Sequence, residues 1–152
     1  ACLIGVSSSV GAMAVGASQQ KVALMRRFGE AVGMAFQIQD DILDYTRTAQ
    51  TGKPANNDLR EGKITLPLLA VLDKVPAERR TELLGRLACC HDDEESVEYL
   101  QRTVENEGGL TFAAEVMRSY IARAVEMLSE YEASDYRTAL ANLCAYIAER
   151  DR

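Results

Sequence analysis

The sequence predicts an all-α protein, and three observations support that prediction. Apolar residues recur three or four positions apart along much of the chain, which is the spacing of one face of an amphipathic helix. No segment alternates between apolar and polar residues over a convincing length, so little or no β-strand is expected. Three prolines, no tryptophan and 47% hydrophobic residues among 152 also suit a helical bundle better than a β-sandwich.

The first twenty residues form an uncharged segment that contains several serines, glutamines and glycines. A segment of this length could nearly cross a bilayer. Its polar content and the lack of basic or aromatic flanks argue against membrane insertion, and it has no positive leading region of a signal peptide. We therefore expect residues 1–20 to form a buried central helix whose small residues let neighbouring helices approach.

A long helix is predicted next. From Lys21 onward, apolar residues recur at helical spacing as far as Ile42, and the pattern leads into an acidic segment. Residues 46–57 are rich in polar residues, glycine, proline and asparagine, and we expect them to form a loop. A helix is predicted to resume over residues 63–72, with Pro67 in its early part.

Four further helices are predicted after residue 72, with proline and glycine marking their boundaries. Pro76 is expected to open the first of them, because proline is tolerated in a first turn. The acidic run at 92–95 is interpreted as the solvated start of a helix that ends at Gly108 and Gly109. The faces predicted for the last two helices are Leu110, Ala114, Met117, Ile121, Val125 and Leu128, and then Ala139, Leu143, Tyr146 and Ile147.

Charge and cysteine content exclude several functional classes. A formal net charge of −6 argues against nucleic-acid binding, which requires a basic patch. The four cysteines show no CxxC spacing, and the neighbours Cys89 and Cys90 are poorly placed to bridge each other. Reduced thiols and a cytoplasmic location are therefore expected. With a single histidine, His91, a Cys/His zinc site is improbable.

The acidic segment contains the carboxylates most informative about function. Asp40 and Asp44 are four residues apart, so a helix places them on one face, and Asp41 is rotated from that face by roughly 100°. Like charges at this spacing destabilise an isolated helix by a few tenths of a kcal/mol. Carboxylates without His or Cys suit a hard cation such as Mg²⁺, which takes one or two carboxylates plus substrate phosphates. A solvated acidic face is the alternative for this motif alone.

Two Gly-Lys pairs downstream strengthen the metal interpretation. Lys53 and Lys63 each follow a glycine, and Asp58 lies between the two pairs. A lysine ammonium is a compact charge suited to phosphate oxygens, and a glycine lets the backbone approach a ligand closely. Each pair alone is common in turns. Carboxylates for a metal and lysines for phosphate in one neighbourhood together predict a diphosphate site.

Residues 33–67 resemble the second aspartate-rich region of the trans-type isoprenyl (polyprenyl) diphosphate synthases. The matching positions run in register: Phe36-Gln37, then Asp40-Asp41-Ile42-Leu43-Asp44, Gly52-Lys53, Asp58, and Gly62-Lys63-Ile64-Thr65-Leu66-Pro67. The resemblance implies a helical bundle of the isoprenoid synthase type. Family members carry another DDxxD motif in their N-terminal half, and this sequence contains no second one. Residues 1–152 are therefore interpreted as the C-terminal portion of a single synthase domain.

The resemblance also implies a reaction and a set of site residues. The family condenses isopentenyl diphosphate with an allylic diphosphate, and a polyprenyl product such as octaprenyl diphosphate for quinone side chains is expected. Asp40, Asp41 and Asp44 would hold Mg²⁺, and Lys53 and Lys63 would neutralise the departing diphosphate. The amide of Gln37 would lie near the reacting carbons or the metal shell, or else bond a neighbouring helix; Thr65 would hydrogen-bond near the site or cap a helix. Assembly through helices as a homodimer or heterodimer is expected.

Three alternatives remain open at the level of sequence. A regulatory or binding subunit could keep the same fold and metal-binding residues without catalysis. A terpene cyclase-like lyase would share Mg²⁺-assisted ionisation of a diphosphate, although its second metal motif is not usually followed by two Gly-Lys pairs. A helical structural protein with an incidental acidic run is the third. Because one set of carboxylates is encoded here, the chain by itself is expected to be inactive.

Overall fold

The structure, a computed structural model, describes residues 1–46 and 56–150, and within these ranges the protein is entirely helical. This confirms the predicted all-α class. No helix in the described ranges is long and apolar enough to cross a membrane. The elements are α1 (Cys2–Ala14), α2 (Gln19–Thr46), α3 (Asn57–Arg60), α4 (Leu66–Lys74), α5 (Ala77–Cys89), α6 (Glu94–Asn106), α7 (Gly109–Leu128) and α8 (Asp135–Glu149).

The chain divides into two compact units. The first contains residues 1–39 and the chain from residue 115 onward, and the second contains residues 40–114. Helices α2 and α7 each contribute to both units, since the boundaries fall inside them. The acidic segment therefore begins where the second unit begins.

In the first unit, α1 packs against α2 through glycines. A Cβ atom added to Gly29 would lie 2.5 Å from the Ile4 carbonyl oxygen and 2.8 Å from the Cα of Gly5. Real Cβ contacts with backbone atoms are not this short, so glycine is needed at position 29 for the two backbones to approach. The expectation that small residues allow close helix packing is correct for this pair.

The expected buried central helix over residues 1–20 is wrong in extent and in burial. Helix α1 ends at Ala14, and α2 begins at Gln19. The face of α1 that does not contact α2 is exposed, and Leu3 keeps 79% of its surface accessible. The other exposed apolar residues on this helix are Val6, Val10 and Met13. An uncharged composition shows that a helix face can be buried. It does not show that the first unit contains a second helix to bury that face.

The two C-terminal helices bury faces that differ partly from the predicted ones. In α7, Met117 and Leu128 are buried as expected, but Ala124 is buried in place of the exposed Val125. In α8, Ile147 is buried as expected, whereas Leu143 and Tyr146 are exposed and Cys144 is buried. Spacings of three and four both fit a helical period, and the packing partner selects between them.

The second unit is built around an apolar cluster contributed by the end of α2 and by α3 to α6. Its buried members are Tyr45, Leu59, Leu68, Val71, Leu72, Leu83, Leu87, Cys90, Val97, Leu100 and Val104. At its edge the Tyr99 ring of α6 is stacked under the Arg86 guanidinium, 4.0 Å from the ring centroid, and its hydroxyl bonds Glu82. These contacts fix α5 against α6.

Helix starts in this unit agree with the sequence in two places and differ in one. Pro76 precedes the first residue of α5, and Asp93 caps α6 by accepting the Glu95 N–H, as expected for a solvated acidic start. The helix expected from residue 63 begins only at Leu66. The short helix α3 precedes it at residues 57–60, where the sequence predicted no helix.

Candidate diphosphate and metal site

The acidic motif, defined as Asp40, Asp41 and Asp44, lies in the last two turns of α2. Its three side chains differ in exposure. Asp40 is exposed, Asp41 is half-buried, and Asp44 keeps only 5% of its surface accessible. Helical spacing places Asp40 and Asp44 on one face, but the segment that returns at Asn56 donates backbone hydrogen bonds to Asp44. The chain therefore gives these equivalent positions different surroundings.

The covering segment is held by both the backbone and the side chain of Asp44. Its carbonyl accepts the Asn56 N–H at 2.9 Å, and its carboxylate Oδ2 accepts the Asp58 N–H at 2.9 Å. Asn56 adopts a left-handed backbone with φ of 60° and does not cap α3 with its own side chain. An N-cap side chain normally accepts from the second or third helical N–H. Asp44 supplies that acceptor to α3 from another helix.

Asp41 has a looser relation to α4. Thr65 precedes α4 without making a side-chain cap, and the Leu66 backbone N–H interacts with the Asp41 carboxylate without the geometry of a full hydrogen bond. Burial, reinforced by the charge of Asp58, raises the pKa of Asp41 to about 6. The interaction with Leu66 opposes this rise only in part. A half-buried carboxylate among like charges is the kind of group that a bound cation would stabilise.

Lys63 is placed by the turn that ends α3. Gly62 has φ of +69°, a conformation that L-residues rarely adopt, and its N–H bonds the Leu59 carbonyl at 3.0 Å. The Lys63 N–H then bonds the Asp58 carbonyl at 2.8 Å, which completes a Schellman motif. In this Gly-Lys pair, the glycine is therefore required by the turn, and a Cβ there would meet nothing within 4 Å.

The ammonium of Lys63 lies between two carboxylates. Its Nζ is 2.6 Å from Glu61 Oε2 and 3.2 Å from Asp58 Oδ1. The hydrogen bonds that Lys63 donates, first the one to Glu61 and then the one to Asp58, raise the pKa of Lys63, so the side chain is cationic at neutral pH. The side chain remains 55% exposed and can move from these partners to an incoming anion.

Thr65 and Tyr45 form a buried polar contact beneath this segment. Burial raises the pKa of Tyr45, and the Thr65 hydroxyl interacts with it weakly, without the geometry of a full hydrogen bond. Within the described residues both hydroxyl oxygens are buried and lack a well-formed partner. Thr65 thus stands at the start of α4 without capping it.

The other expected site residues are placed as follows. Gln37 lies on α2 with an exposed side chain, whereas its neighbour Gln39 is 8% exposed. Gln39 Nε2 donates to the Arg150 carbonyl at 2.6 Å, and the Arg150 guanidinium lies 4.7 Å from the ring centroid of Phe36. The sequence analysis missed Gln39, although position 39 continues the buried stripe of α2 that contains Ala35. Lys53 lies outside the described residues.

The donor set of the acidic motif fits a hard divalent cation. All of its side-chain donor atoms are carboxylate oxygens, and the pKa of Asp41 is raised first by burial and then by the negative charge of Asp58. In residues 1–46 and 56–150, no three carboxylate, imidazole or thiol groups converge closely enough to hold a metal ion. Mg²⁺ commonly uses one or two protein carboxylates and completes its shell with water and phosphate oxygens.

Comparison with known proteins identifies the family. Residues 1–106 match the family model described as polyprenyl synthetase, and the chain belongs to that family. It is 34% identical over 152 residues to the short chain isoprenyl diphosphate synthase of Methanothermobacter thermautotrophicus, covering 99% of this chain and 46% of that protein. Heptaprenyl diphosphate synthase component 2 of Geobacillus stearothermophilus is also 34% identical over 152 residues, with the same 99% and 46% coverage.

A solved structure agrees with the sequence comparison. The polyprenyl synthase of Caulobacter crescentus, crystallised in complex with calcium and isoprenyl diphosphate, superposes with a TM-score of 0.85 and 32% identity. The match covers 99% of this chain and 46% of that one. The chain thus spans about half the length of the relatives it matches, roughly their C-terminal part. The isoprenoid synthase fold expected from the resemblance is confirmed.

Proposed function

We propose that this chain forms the part of a polyprenyl diphosphate synthase that binds a metal-bound diphosphate. The observation that supports the proposal is that Asp58 forms an ion pair with Lys63 and also lies close enough to Asp41, near the end of α2, for its charge to raise the pKa of Asp41. This arrangement offers both carboxylates for a cation and an ammonium for phosphate oxygens. The complex of the Caulobacter relative with calcium and isoprenyl diphosphate supports the same class of ligand.

In this proposal Asp40 and Asp41 hold Mg²⁺, and Lys63 binds the diphosphate. Asp40 is exposed and Asp41 half-buried, so carboxylate oxygens of both can reach a cation at the surface of the second unit. Bound Mg²⁺ would act as a Lewis acid on phosphate oxygens. The Lys63 ammonium would stabilise the negative charge that develops on the leaving diphosphate. A ligand role for Asp44, the expected third member, stays a prediction.

The remaining expected residues keep secondary roles. Lys53 is proposed as a second ammonium for the diphosphate, and Thr65 as a hydroxyl near it. Gln37 has an exposed side chain on α2, and its amide is proposed to contact the ligand. The substrates proposed for the intact protein are isopentenyl diphosphate and an allylic diphosphate, with a polyprenyl diphosphate as product. The chain is proposed as the C-terminal portion of one domain, in a cytoplasmic homodimer or heterodimer.

Metal-dependent binding of inorganic diphosphate tests this proposal. Titration calorimetry of the chain should show binding with Mg²⁺ and none after addition of EDTA. Lys63→Gln should weaken binding about tenfold or more, because a charge-assisted contact contributes about 1.5–3 kcal/mol. The matched control is Lys21→Gln, since Lys21 lies at the start of α2 against the Tyr131 ring. Binding that ignores Mg²⁺, or equal effects of both substitutions, would overturn the proposal.

A non-catalytic binding subunit is the second candidate. It is favoured by the absence of a second DDxxD motif in the sequence. Such a subunit would bind diphosphate in the same way but would never form product, even when combined with the N-terminal half of a related synthase. Formation of elongated product in that mixture would support the proposal that the chain is part of a catalytic synthase.

A further inference from the structure

We propose that Asp44 is a positioning residue, whose buried carboxylate holds Asp58 and through Asp58 sets the place of the Lys63 ammonium. The inference rests on the proposed function only in naming diphosphate as the anion that Lys63 receives. The arrangement itself is visible in the contacts of these three residues.

The first step is the burial of Asp44. Its side chain is 5% exposed, and Oδ2 is occupied by the Asp58 N–H at 2.9 Å. Its backbone carbonyl is occupied by the Asn56 N–H at 2.9 Å. Asp40, one turn earlier on the same helix, is exposed. Of two carboxylates equivalent in sequence spacing, one is exposed and the other fixes the returning chain.

The second step leads from Asp58 to Lys63. The N–H of Asp58 points to Asp44, its carbonyl accepts the Lys63 N–H at 2.8 Å, and its Oδ1 lies 3.2 Å from Lys63 Nζ. A shift of the Asp58 backbone would therefore move the main chain of Lys63 and one of the two carboxylates, Asp58 and Glu61, that contact its ammonium. No other contact of Asp44 is needed to connect the end of α2 with this ammonium.

The third step separates positioning from metal ligation by chemistry. Accepting one N–H needs one oxygen, which the amide of asparagine also supplies. Holding Mg²⁺ depends on carboxylate oxygens with their negative charge. Asp44→Asn should therefore preserve the arrangement, and Asp44→Ala should lose it. A ligand such as Asp40 should be damaged about equally by asparagine and by alanine.

Amide hydrogen exchange of the chain without metal tests the arrangement directly. The Asp58 and Lys63 amides should exchange slowly in the wild type and in Asp44→Asn, and at least tenfold faster in Asp44→Ala. The matched control is Asp93→Ala, which removes a carboxylate that caps α6 through the Glu95 N–H. This change should leave both amides protected. Unchanged protection in a folded Asp44→Ala would overturn the proposal, whether or not diphosphate binds.

Binding of inorganic diphosphate with Mg²⁺, and of Mn²⁺ alone, then tests the consequence. Asp44→Ala should weaken diphosphate binding about 10- to 100-fold, the usual loss when a supporting residue is removed, while Asp44→Asn should stay within about threefold. In a Lys63→Gln background the effect of Asp44→Ala should shrink to less than threefold, because the two residues act together. Asp40→Asn should weaken the binding of both diphosphate and Mn²⁺.

The outcomes separate the two proposals. If Asp44→Asn abolishes Mn²⁺ binding while the Asp58 amide stays protected, Asp44 is a metal ligand and the positioning role is wrong. If Asp44→Ala does not fold, Asp44→Asn still decides between these roles. Failure of the wild type to bind diphosphate would contradict the proposed function, and the exchange rates would still decide whether Asp44 positions Asp58 and Lys63.

Discussion

The side-chain amide of Gln39 donates a hydrogen bond to the backbone carbonyl of Arg150 at 2.6 Å, joining residues 111 positions apart. Gln39 is buried on α2, and Arg150 immediately follows α8. The guanidinium of Arg150 also lies over the ring of Phe36, one turn earlier on α2. The end of α8 is thus fixed to α2 by one hydrogen bond and one ring contact.

Replacing Gln39 with alanine should loosen this attachment. Loss of a hydrogen bond at a buried site costs about 1 kcal/mol, so Gln39→Ala should lower the free energy of unfolding by that amount. Gln37→Ala is the matched control, because Gln37 lies on the same helix with an exposed side chain, and it should change stability by less than about 0.5 kcal/mol. Urea unfolding followed by circular dichroism measures both. Equal effects would mean that the contact with Arg150 does not stabilise α8.

Gln37 and Gln39 show which features of the fold the sequence alone does not predict. The helix period of α2 and the position of the acidic motif at its end are local properties, and the sequence predicts both. Whether Gln37 or Gln39 is buried depends on a chain segment more than a hundred residues away. Asp40 and Asp44 are likewise equivalent in spacing, and only the return of the chain at Asn56 makes one of them a buried acceptor.

Close packing of α1 and α2 leads to a second prediction. Gly29→Ala would place a methyl group against the Ile4 carbonyl and the Gly5 backbone, so it should lower the free energy of unfolding by about 1–3 kcal/mol. Gly11→Ala is the matched control. Gly11 lies on α1, the helix that packs against Gly29 of α2, and a Cβ at Gly11 meets nothing within 4 Å. It should raise stability by about 0.5–1 kcal/mol, because alanine is the better helix former. Thermal unfolding distinguishes the opposite signs, and two changes of the same sign would contradict the packing argument.

The raised pKa of Asp41 predicts a specific pH dependence. Because the folded-state pKa is about 6, above the ordinary value of 3.8, stability from this group is present below about pH 4 and is lost as pH rises through 6. Asp41→Asn should therefore be more stable than the wild type at pH 8 by roughly 1 kcal/mol, after allowance for partial solvation, and equal to it at pH 4. The measurement is urea unfolding across this range without divalent cations. A difference that stays constant with pH would show that Asp41 has no raised pKa.

The chain alone should not catalyse prenyl transfer. Ionisation of an allylic diphosphate requires metal ions held on more than one side of the leaving group, and the sequence encodes one DDxxD motif. Incubation with labelled isopentenyl diphosphate, an allylic diphosphate and Mg²⁺ should give no elongated product. Diphosphate binding measured on the same preparation is the control for correct folding. Product formation at an enzymatic rate would show that one acidic motif is sufficient.

The final prediction compares two exposed aspartates that lie in different acidic runs. Asp40→Ala removes a proposed ligand, and the loss of a charged contact should weaken Mg²⁺-dependent diphosphate binding by about 10- to 100-fold. Asp92→Ala is the matched control, because the Asp92 side chain is 91% exposed just before α6 and lies 3.7 Å from His91 Nε2. It should change the affinity by less than about twofold, as surface substitutions do. Titration calorimetry at several Mg²⁺ concentrations should show that added Mg²⁺ partly restores Asp40→Ala, since a weakened metal site refills by mass action. Equal affinities of the two variants would mean that the acidic motif of α2 has no special role in binding.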